Sequence, residues 1–322
     1  MEIPIRVSVL IPVYNRRTLI GDAVRSALSQ DVAGLEVVVV DNHSDDGTWE
    51  YLQTLKDTRL RLLRNVVNLG LFGNFERCAE QARGIYSLFL CSDDRLAPGF
   101  LAFALNLIDA HSQAALLSSR GRCIDENGKQ LGLIADRFPP GCYEGSSIPA
   151  AWFWTSYHYG KNPLNYPSGV LLRTSILHAC LPFRTEIGAP ADVDMFLRML
   201  GHGSLVVSDY VGCFVMQHEQ QAGKVARRAG ELVQQDLALL AASRHALEIA
   251  GVYRQIKRQA ACTVLIALLR TAYVDRRRAL QLFREFDRSP AEMIIAALRR
   301  FAFTLADRAF GLRFAPHLKK AT

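Results

Sequence analysis

The sequence predicts an α/β fold: a mixed, mainly parallel β-sheet flanked by helices, followed by a C-terminal helical region. Apolar runs of strand length, the first at residues 7–13, alternate with segments whose apolar residues repeat at helical spacing. Such alternation is typical of βαβ units in a parallel sheet. Further along, an Asn-Gly pair lies between apolar runs at 114–124 and 130–134, which indicates a β-hairpin and makes the sheet mixed.

The elements of the first half can be placed in chain order from these patterns. Continuous apolar runs rich in β-branched residues predict strands that are buried on both faces. Helical spacing of apolar residues predicts the segments between them. The strands are expected at 7–13, 35–40, 59–63 and 88–91, and the helices at 18–28, 48–55, 72–82 and 98–110.

Polar clusters follow three of these strands: Tyr14-Asn15, Asp41-Asn42 and Ser92-Asp93-Asp94. Parallel strands end at one edge of a sheet, where open α/β sheets bind ligands, so these clusters should converge. Two adjacent carboxylates suit Mg²⁺ or Mn²⁺ carrying a phosphate. The alternative for such a pair is a solvated turn or a helix cap. Neither a GxGxxG nor a GxxxxGK[ST] motif is present.

The second half is predicted less regularly. Residues 135–170 are rich in Gly, Pro, Ser and aromatic residues, which predicts long connections, either an acceptor lid or loops anchored on the core. A helix is expected at 190–200, where Asp192 and Asp194 have either a functional or a capping role. From about residue 222 the chain is predicted to be helical, with a capping box at 289–292.

Composition and charge bound the protein class. The chain has 322 residues, half of them apolar, and seven cysteines without a CxxC motif. This pattern favours a globular cytoplasmic protein with reduced thiols over a disulfide framework or zinc site. No signal peptide precedes the first strand, and no apolar run reaches the length of a membrane span.

The net charge of +7 divides unevenly, since residues 221–322 carry +11 and residues 1–220 carry −4. We therefore expect two regions, 1–220 as the α/β domain and 221–322 as a basic helical region. The basic region either attaches to an anionic membrane surface or packs on the core with its arginines in solvent. No nucleic-acid recognition motif accompanies the charge, so no nucleic-acid partner is expected.

Taken together, the motifs resemble those of the family 2 inverting glycosyltransferases, which have a GT-A type nucleotide-sugar-binding fold. The resemblance covers about residues 6–220 and depends on several segments in the right order. These are VSVLIPVYNR at 7–16, VVVVDNHSDDGT at 37–48, Asn68-Leu69-Gly70 with Asn74, SDDRLAPG at 92–99, and Ala191-Asp192-Val193-Asp194 with Leu197-Arg198.

This resemblance implies a role for each matching residue. A nucleobase pocket, a nucleotide-binding loop, a metal and ribose-phosphate motif and a general base should all be present. Pro12, Val13 and Tyr14 would line the base pocket, Asp41 and Asn42 would contact the base, Asn68, Gly70, Asn74 and Ser92 would lie near the nucleotide, Asp93 and Asp94 would hold the metal with Asp94 as a direct ligand, His218 would add a metal or diphosphate contact, and Asp192 would be the catalytic base.

The chain departs from the family pattern at three positions. Asn42 replaces an acidic base contact, which leaves the identity of the base open because an amide both donates and accepts. Cys91 stands where many members have a further Asp, and Ala191 replaces a frequent Glu. These departures keep one alternative open, a catalytically silent nucleotide-sugar-binding or scaffold protein.

The function implied by the resemblance is metal-dependent, inverting sugar transfer. A nucleotide-diphosphate sugar would be the donor, Mg²⁺ or Mn²⁺ the cofactor, and a glycan or lipid-linked hydroxyl the acceptor, in cell-surface polysaccharide biosynthesis. The expected location is the cytoplasm, at the inner face of the membrane through the C-terminal helices. A nucleotidyltransferase is a further alternative, but it needs a Gly-rich basic loop after the first strand, and residues 12–15 are not one.

Overall fold

The computed structural model describes residues 4–135, 138–159, 162–218, 221, 232–257, 260 and 318–321. These residues form one ten-stranded mixed sheet with helices on both faces. The strands are β1 Val7–Val13, β2 Leu35–Asp41, β3 Leu60–Arg64, β4 Tyr86–Phe89, β5 Arg95–Leu96, β6 Ala114–Ile124, β7 Gln130–Ile134, β8 Gly141–Tyr143, β9 Val170–Arg173 and β10 Ser204–Met216. The helices are α1 Ile20–Leu28, α2 Thr48–Thr54, α3 Gly70–Glu80, α4 Phe100–Asp109, α5 Ile148–Tyr159, α6 Thr174–Cys180, α7 Ala191–Met199, α8 Leu232–Ala242 and α9 Arg244–Ile249.

The sheet has a parallel half and a mixed half. Strands β3, β2, β1 and β4 are parallel neighbours in that order. Strand β9 then lies antiparallel between β4 and β6, and β10 runs parallel to β6. The predicted hairpin of β6 and β7 is confirmed as an antiparallel pair, while β5 and β8 add short antiparallel pairings to β10. The predicted mixed, mainly parallel sheet is therefore confirmed.

Alternating side chains of the central strands divide the core into two layers. Leu10 and Val38 pack on one face with α3, α5, α6 and α7. Val9 and Val37 pack on the opposite face with α1 and α4. Because β1 and β2 are buried over their whole length, their sequences are continuous apolar runs rather than alternating ones. The sheet is thus covered on both faces, so a ligand would bind at the ends of the strands.

The prediction of long connections over 135–170 is wrong in part, since this stretch contains β8 and the twelve-residue helix α5. Trp152, Phe153 and Trp154 of α5 are all buried, and Trp152 Nε1 donates to Asn162 Oδ1 at 2.8 Å. A helix that is apolar all round has no 3.6-residue periodicity to reveal it. These three aromatic side chains anchor the segment on the core, the second of the two alternatives for this stretch.

The described part of the C-terminal region packs against the α/β core. Leu239 and Leu247 of α8 and α9 are buried in the layer that contains α5 and α7, as is Ala260. Residues 318–321 run antiparallel to β8, where the Glu144 N–H donates to the Lys319 carbonyl at 2.8 Å. The predicted capping box at 289–292 and its helix lie outside the described residues, and the boundary at residue 220 stays a prediction. Within the described ranges, no helix has both the length and the apolar character that crossing a bilayer requires.

Candidate functional site

The carboxyl ends of β1, β2 and β4 lie at the same edge of the sheet, which confirms the predicted convergence. In this edge β1 is central, Val13 pairs with Asp41 of β2, and Leu10 pairs with Phe89 of β4. After β4 the chain turns, so that the Asp94 N–H donates to the Cys91 carbonyl at 3.0 Å. Polar residues from three separate stretches of sequence therefore border one ligand-accessible edge.

Asp41 is a fully buried carboxylate at the end of β2. Its Oδ2 accepts a hydrogen bond from the Ser44 N–H at 3.2 Å and pairs with Arg64 Nε at 3.2 Å. Its Oδ1 is buried and has no hydrogen-bond partner among the described residues. An unsatisfied buried oxygen costs free energy that a ligand N–H would recover. Asp41 is thus suited to receive a donor group from a bound molecule.

Four carboxamides form a network next to Asp41. Asn42 Oδ1 accepts from Asn65 Nδ2 and from the Leu69 N–H, each at 2.9 Å. Asn42 Nδ2 donates to Asn68 Oδ1 at 2.8 Å and to the Gly70 carbonyl at 3.1 Å. A carboxamide has two donor hydrogens and two acceptor lone pairs, so all four are used. The base contact predicted for Asn42 would have to replace one of these bonds.

The other residues predicted for the nucleotide site differ in exposure. Pro12 and Val13 are buried within β1, whereas 42% of Tyr14 is exposed at the edge of the sheet. Asn74 is buried and donates to the Val40 carbonyl at 3.0 Å. Asn68, in the loop before α3, and Gly70, the first residue of α3, are exposed, while Ser92 is half-buried. Tyr14, Asn68 and Gly70 are therefore the members of this set that a ligand could reach directly.

The acidic cluster follows β4. One donor atom each from Cys91, Asp93 and Asp94 lies within 4.8 Å of the others. Asp94 is buried, and its Oδ2 accepts from the Ser168 hydroxyl at 2.5 Å. Asp93 Oδ2 lies 2.6 Å from His218 Nε2, so the predicted metal contact His218 is next to the pair.

Electrostatics at this cluster are unfavourable for two charged carboxylates. Burial, and then repulsion from Asp93, raise the pKa of Asp94 well above its usual value. Among the described residues, neither carboxylate forms an ion pair with an arginine or lysine. Carboxylate oxygens are the ligands that Mg²⁺ and Mn²⁺ prefer, so the donor set fits a hard divalent cation with a softer sulfur beside it.

Asp192 lies in the first turn of α7 and is partly buried. The Val193 N–H donates to its Oδ1 at 2.7 Å, and burial raises the pKa of Asp192 to about 6. Burial, followed by the charges of Asp94, Asp93 and Asp192, raises the pKa of the Cys91 thiol well above its usual value. The negative charge of Asp192 thus contributes to the raised pKa of the Cys91 thiol.

The two aspartates of α7 have different environments. Asp194 is buried between Arg184, at 3.4 Å, and Arg198, at 2.8 Å. It therefore joins the preceding loop to the helix, and this role explains its presence. Pro190, not Asp192, is at the N-cap position of α7, and Asp192 satisfies a first-turn N–H of the helix through its Oδ1.

Sequence patterns did not reveal three residues of the site. Ser168 also accepts from the Cys91 N–H at 3.1 Å, and it thereby joins a distant turn to the acidic cluster. The Met216 N–H donates to Asp94 Oδ1 at 3.1 Å, and the Asn65 side chain donates to two members of the carboxamide network, Asn42 and Asn74. Ser168 lies in the turn signature Pro167-Ser168-Gly169, but nothing in its spacing connects it to residue 94.

Comparison with known proteins places this arrangement in context. Residues 8–164 match the profile of Glycosyl transferase family 2. An uncharacterized protein of Mycobacterium tuberculosis is 33% identical over 197 residues, 60% of this chain and 61% of its own length. The Escherichia coli UDP-Glc:alpha-D-GlcNAc-diphosphoundecaprenol beta-1,3-glucosyltransferase WfaP is 36% identical over 88 residues, 27% of this chain and 35% of its own. The chain thus spans less than two thirds of the length of these relatives.

Two solved structures are similar in fold. TarS 1-349 of S. aureus in complex with UDP has a TM-score of 0.59 and 19% identity, covering 94% of this chain and 82% of TarS 1-349. Mannosyltransferase PcManGT from Pyrobaculum calidifontis, in complex with GDP-Man and Mn²⁺, has a TM-score of 0.54 and 19% identity, covering 96% and 89%. At this identity the likeness bears on the fold alone, and it confirms the fold class predicted from the sequence.

Proposed function

We propose, because residues 8–164 match the profile of Glycosyl transferase family 2, that this protein moves a sugar from a nucleotide-diphosphate sugar to an acceptor hydroxyl, with inversion at the anomeric carbon. The observation that supports this most strongly is the sheet edge itself. It presents an unsatisfied buried carboxylate, Asp41, and an acidic cluster, Cys91, Asp93 and Asp94, with Asp192 beside it. Asp41 suits a nucleobase, and the acidic cluster suits a cation with a diphosphate. Asp192 suits the role of proton acceptor.

The nucleobase would bind at the Asp41 end. Uracil, thymine and guanine each carry a ring N–H that could donate to the free Oδ1 of Asp41. Tyr14 is exposed at the same edge and offers a ring face for stacking. Nucleotides of these kinds, UDP and GDP-Man, are bound in the similar structures of TarS and PcManGT. The proposed donor is accordingly a sugar linked to UDP, dTDP or GDP.

The diphosphate would bind at the acidic end. Asp93 and Asp94 would hold Mg²⁺ or Mn²⁺, with His218 contacting Asp93 and Cys91 alongside. A cation bound there supplies Lewis-acid stabilisation of the negative charge on the leaving diphosphate. Ser168 and the Met216 N–H fix both oxygens of Asp94 in orientation before any ligand arrives.

Asp192 would accept the proton. With a pKa of about 6 it is ionised at neutral pH, yet basic enough to take a proton from an attacking hydroxyl. The acceptor oxygen attacks the anomeric carbon from the face opposite the diphosphate, and its proton passes to Asp192. The bond between the anomeric carbon and the diphosphate oxygen breaks in the same displacement, so no covalent intermediate forms and the configuration inverts.

The acceptor and location are proposed from relatives and charge. WfaP is named as acting on a diphosphoundecaprenol-linked sugar, which supports a lipid-linked or glycan acceptor in cell-surface polysaccharide biosynthesis. We place the protein in the cytoplasm at the inner face of the membrane, with a peripheral contact through the basic C-terminal region.

The membrane contact has a direct test. Full-length protein and an R299Q/R300Q/R308Q variant are co-sedimented with phosphatidylglycerol vesicles at low and high salt. The proposal expects less pelleting of the variant at low salt, because anionic lipid attracts each arginine. Equal pelleting of both proteins would place the contact elsewhere or exclude it.

A donor panel tests the proposed activity. UDP-, dTDP- and GDP-sugars are incubated with the protein in Mn²⁺, in Mg²⁺ and in EDTA, and release of the nucleoside diphosphate is measured. Turnover with one nucleotide class that EDTA abolishes is the expected result. Binding without turnover would favour the silent nucleotide-sugar-binding alternative, and absence of both would contradict the proposal.

A further inference from the structure

Resting on the donor site proposed above, we infer that Asn65 is a positioning residue for nucleotide binding, which holds Asp41 in place without touching the ligand. Asn65 follows the end of β3 and is 8% exposed. Its backbone N–H donates to the Asp41 carbonyl at 2.8 Å. The residue before it, Arg64, pairs with the Asp41 side chain. Two consecutive residues therefore hold the main chain and the side chain of Asp41.

The side chain of Asn65 fixes this pair of contacts. Its Nδ2 donates to Asn42 Oδ1 and to Asn74 Oδ1, both at 2.9 Å. Asn42 is bonded through its N–H to the Val13 carbonyl at 2.8 Å, and Asn74 through its side chain to the Val40 carbonyl. Asn65 thus connects β3 with the ends of β1 and β2 and with α3.

The network is saturated at its centre, which makes it stiff. Asn42 uses all four of its hydrogen-bonding positions within the protein. A buried network with every partner satisfied is strong and specifies one arrangement, whereas a partly satisfied one relaxes. Loss of the Asn65 amide would leave Asn74 Oδ1 without this donor and would free residues 64 and 65 to shift. The free Oδ1 of Asp41 would then lose its defined direction.

Two substitutions at Asn65 test this inference. Asn65→Asp has the same shape but cannot donate from its side chain, and Asn65→Ser keeps one donor without adding charge. The matched control is Gln30→Leu, because Gln30 is also buried and bonds to the Ala97 carbonyl at 3.0 Å and the Leu101 N–H at 3.1 Å, on the opposite face of the sheet. All three variants lose buried hydrogen bonds, but only the first two touch the network.

Binding of UDP and GDP to the full chain is measured by calorimetry, together with Mn²⁺ binding and the melting temperature. For the nucleotide that wild type prefers, we expect the Asn65 variants to bind about tenfold more weakly, the size of a displaced hydrogen bond to a charged group. Mn²⁺ affinity should be unchanged, and any turnover should show a raised KM for donor with kcat within about twofold. Gln30→Leu should lower the melting temperature without changing nucleotide affinity.

The possible failures are distinguishable. If the Asn65 variants bind nucleotide as wild type does, or lose Mn²⁺ and nucleotide affinity equally, the positioning role is wrong. If wild type binds no nucleoside diphosphate while remaining folded, the proposed function itself fails.

Discussion

The two ends of the candidate site satisfy their polar groups in opposite ways. At the nucleobase end, neutral carboxamides bond to one another until Asn42 has no capacity left, and Asp41 keeps one free oxygen. At the diphosphate end, Asp93 and Asp94 lie together in the acidic cluster, and burial raises the pKa values of Asp94 and Asp192. The first end is preorganised, whereas the second is electrostatically unfavourable in the protein alone.

This difference follows from what each end would bind. A nucleobase carries no net charge, so a rigid set of hydrogen-bonding groups is sufficient to select it. A diphosphate with its cation brings charges that must be balanced, so the protein holds carboxylates in a poorly solvated place. Substitutions at the two ends should therefore have separable effects.

The largest effect is expected at Asp192. Asp192→Asn removes the proton acceptor but leaves the donor contacts intact, so transfer should fall about 10²- to 10⁴-fold with unchanged nucleotide binding. Initial rates and calorimetry measure the two quantities. Asp209→Asn, an exposed aspartate on β10, is the control and should keep full activity. Unchanged turnover in Asp192→Asn would remove Asp192 from the mechanism.

Substitution of Asp94 should weaken metal binding alone, and substitution of Asp41 should weaken nucleoside binding alone. Asp94→Asn should weaken Mn²⁺ binding at least about 10- to 100-fold and leave the affinity for uridine or guanosine unchanged. Asp41→Asn should weaken binding of the preferred nucleoside by about 10- to 100-fold and keep Mn²⁺ binding, since the Asn oxygen stays with the Ser44 N–H and Arg64 and its NH₂ group then faces the base N–H. Calorimetric titrations of each ligand decide the matter, and equal losses of both ligands in either variant would mean that the two ends are not separate.

Stability should depend on pH in a direction set by the acidic end. The pKa of Asp192, about 6, lies above its unfolded value of 3.8, so the folded state binds the proton more tightly. The stability that Asp192 contributes is therefore fully present at low pH and is lost as pH rises from about 4 through 6, and the raised pKa of Asp94 contributes in the same direction. Asp57, whose pKa is lowered to about 2, acts in the opposite direction but below pH 4.

Melting curves in EDTA between about pH 4 and about pH 8, a range that covers the loss expected from about 4 through 6, compare wild type with Asp192→Asn. The variant should be the more stable protein at the upper end, by up to about 3 kcal/mol, which corresponds to about two pKa units. If the variant is equally stable or less stable at the upper pH, the ionised Asp192 side chain does not lower the free energy of unfolding.

The smallest effect is expected at Gly70, whose φ of +76° is left-handed. A Cβ at this position meets nothing within 4 Å, so Gly70→Ala should lose about 1–2 kcal/mol from backbone strain alone. Because the Gly70 carbonyl accepts from Asn42, nucleotide affinity should also fall slightly. Gly128→Ala, at φ +79° in the hairpin turn and equally unobstructed, should show the stability loss in urea unfolding without any change in affinity.

The parallel half of the fold could be predicted from the sequence because its signals are local. Buried strands such as β1 and β2 read as continuous apolar runs, and the polar residues that follow them must meet at one edge of a parallel sheet. The position of the Asp93-Asp94 pair at the same edge as the ends of β1 and β2 could therefore be predicted from the sequence, and its role in binding a metal stays a prediction.

The contacts that orient the site could not be predicted in this way. Ser168 meets Asp94 only because β9 inserts antiparallel between β4 and β6, a pairing without a local sequence signal. Met216 contributes a backbone N–H, and the identity of its side chain does not predict this contact. Asn65 is distinguished only by the partners of its side chain, which the sequence does not show. Helix α5 gives no periodic signal, because apolar residues follow one another along its first part.

The most direct test of the two-ended site is the effect of Mn²⁺ on ligand affinity. Calorimetry compares UDP with uridine, and GDP with guanosine, in the presence and absence of Mn²⁺. We predict that Mn²⁺ strengthens binding of the preferred nucleoside diphosphate by about tenfold or more, a binding free energy of about 1.4 kcal/mol. The matching nucleoside should bind equally with and without Mn²⁺. Equal affinity of the diphosphate with and without Mn²⁺ would contradict it.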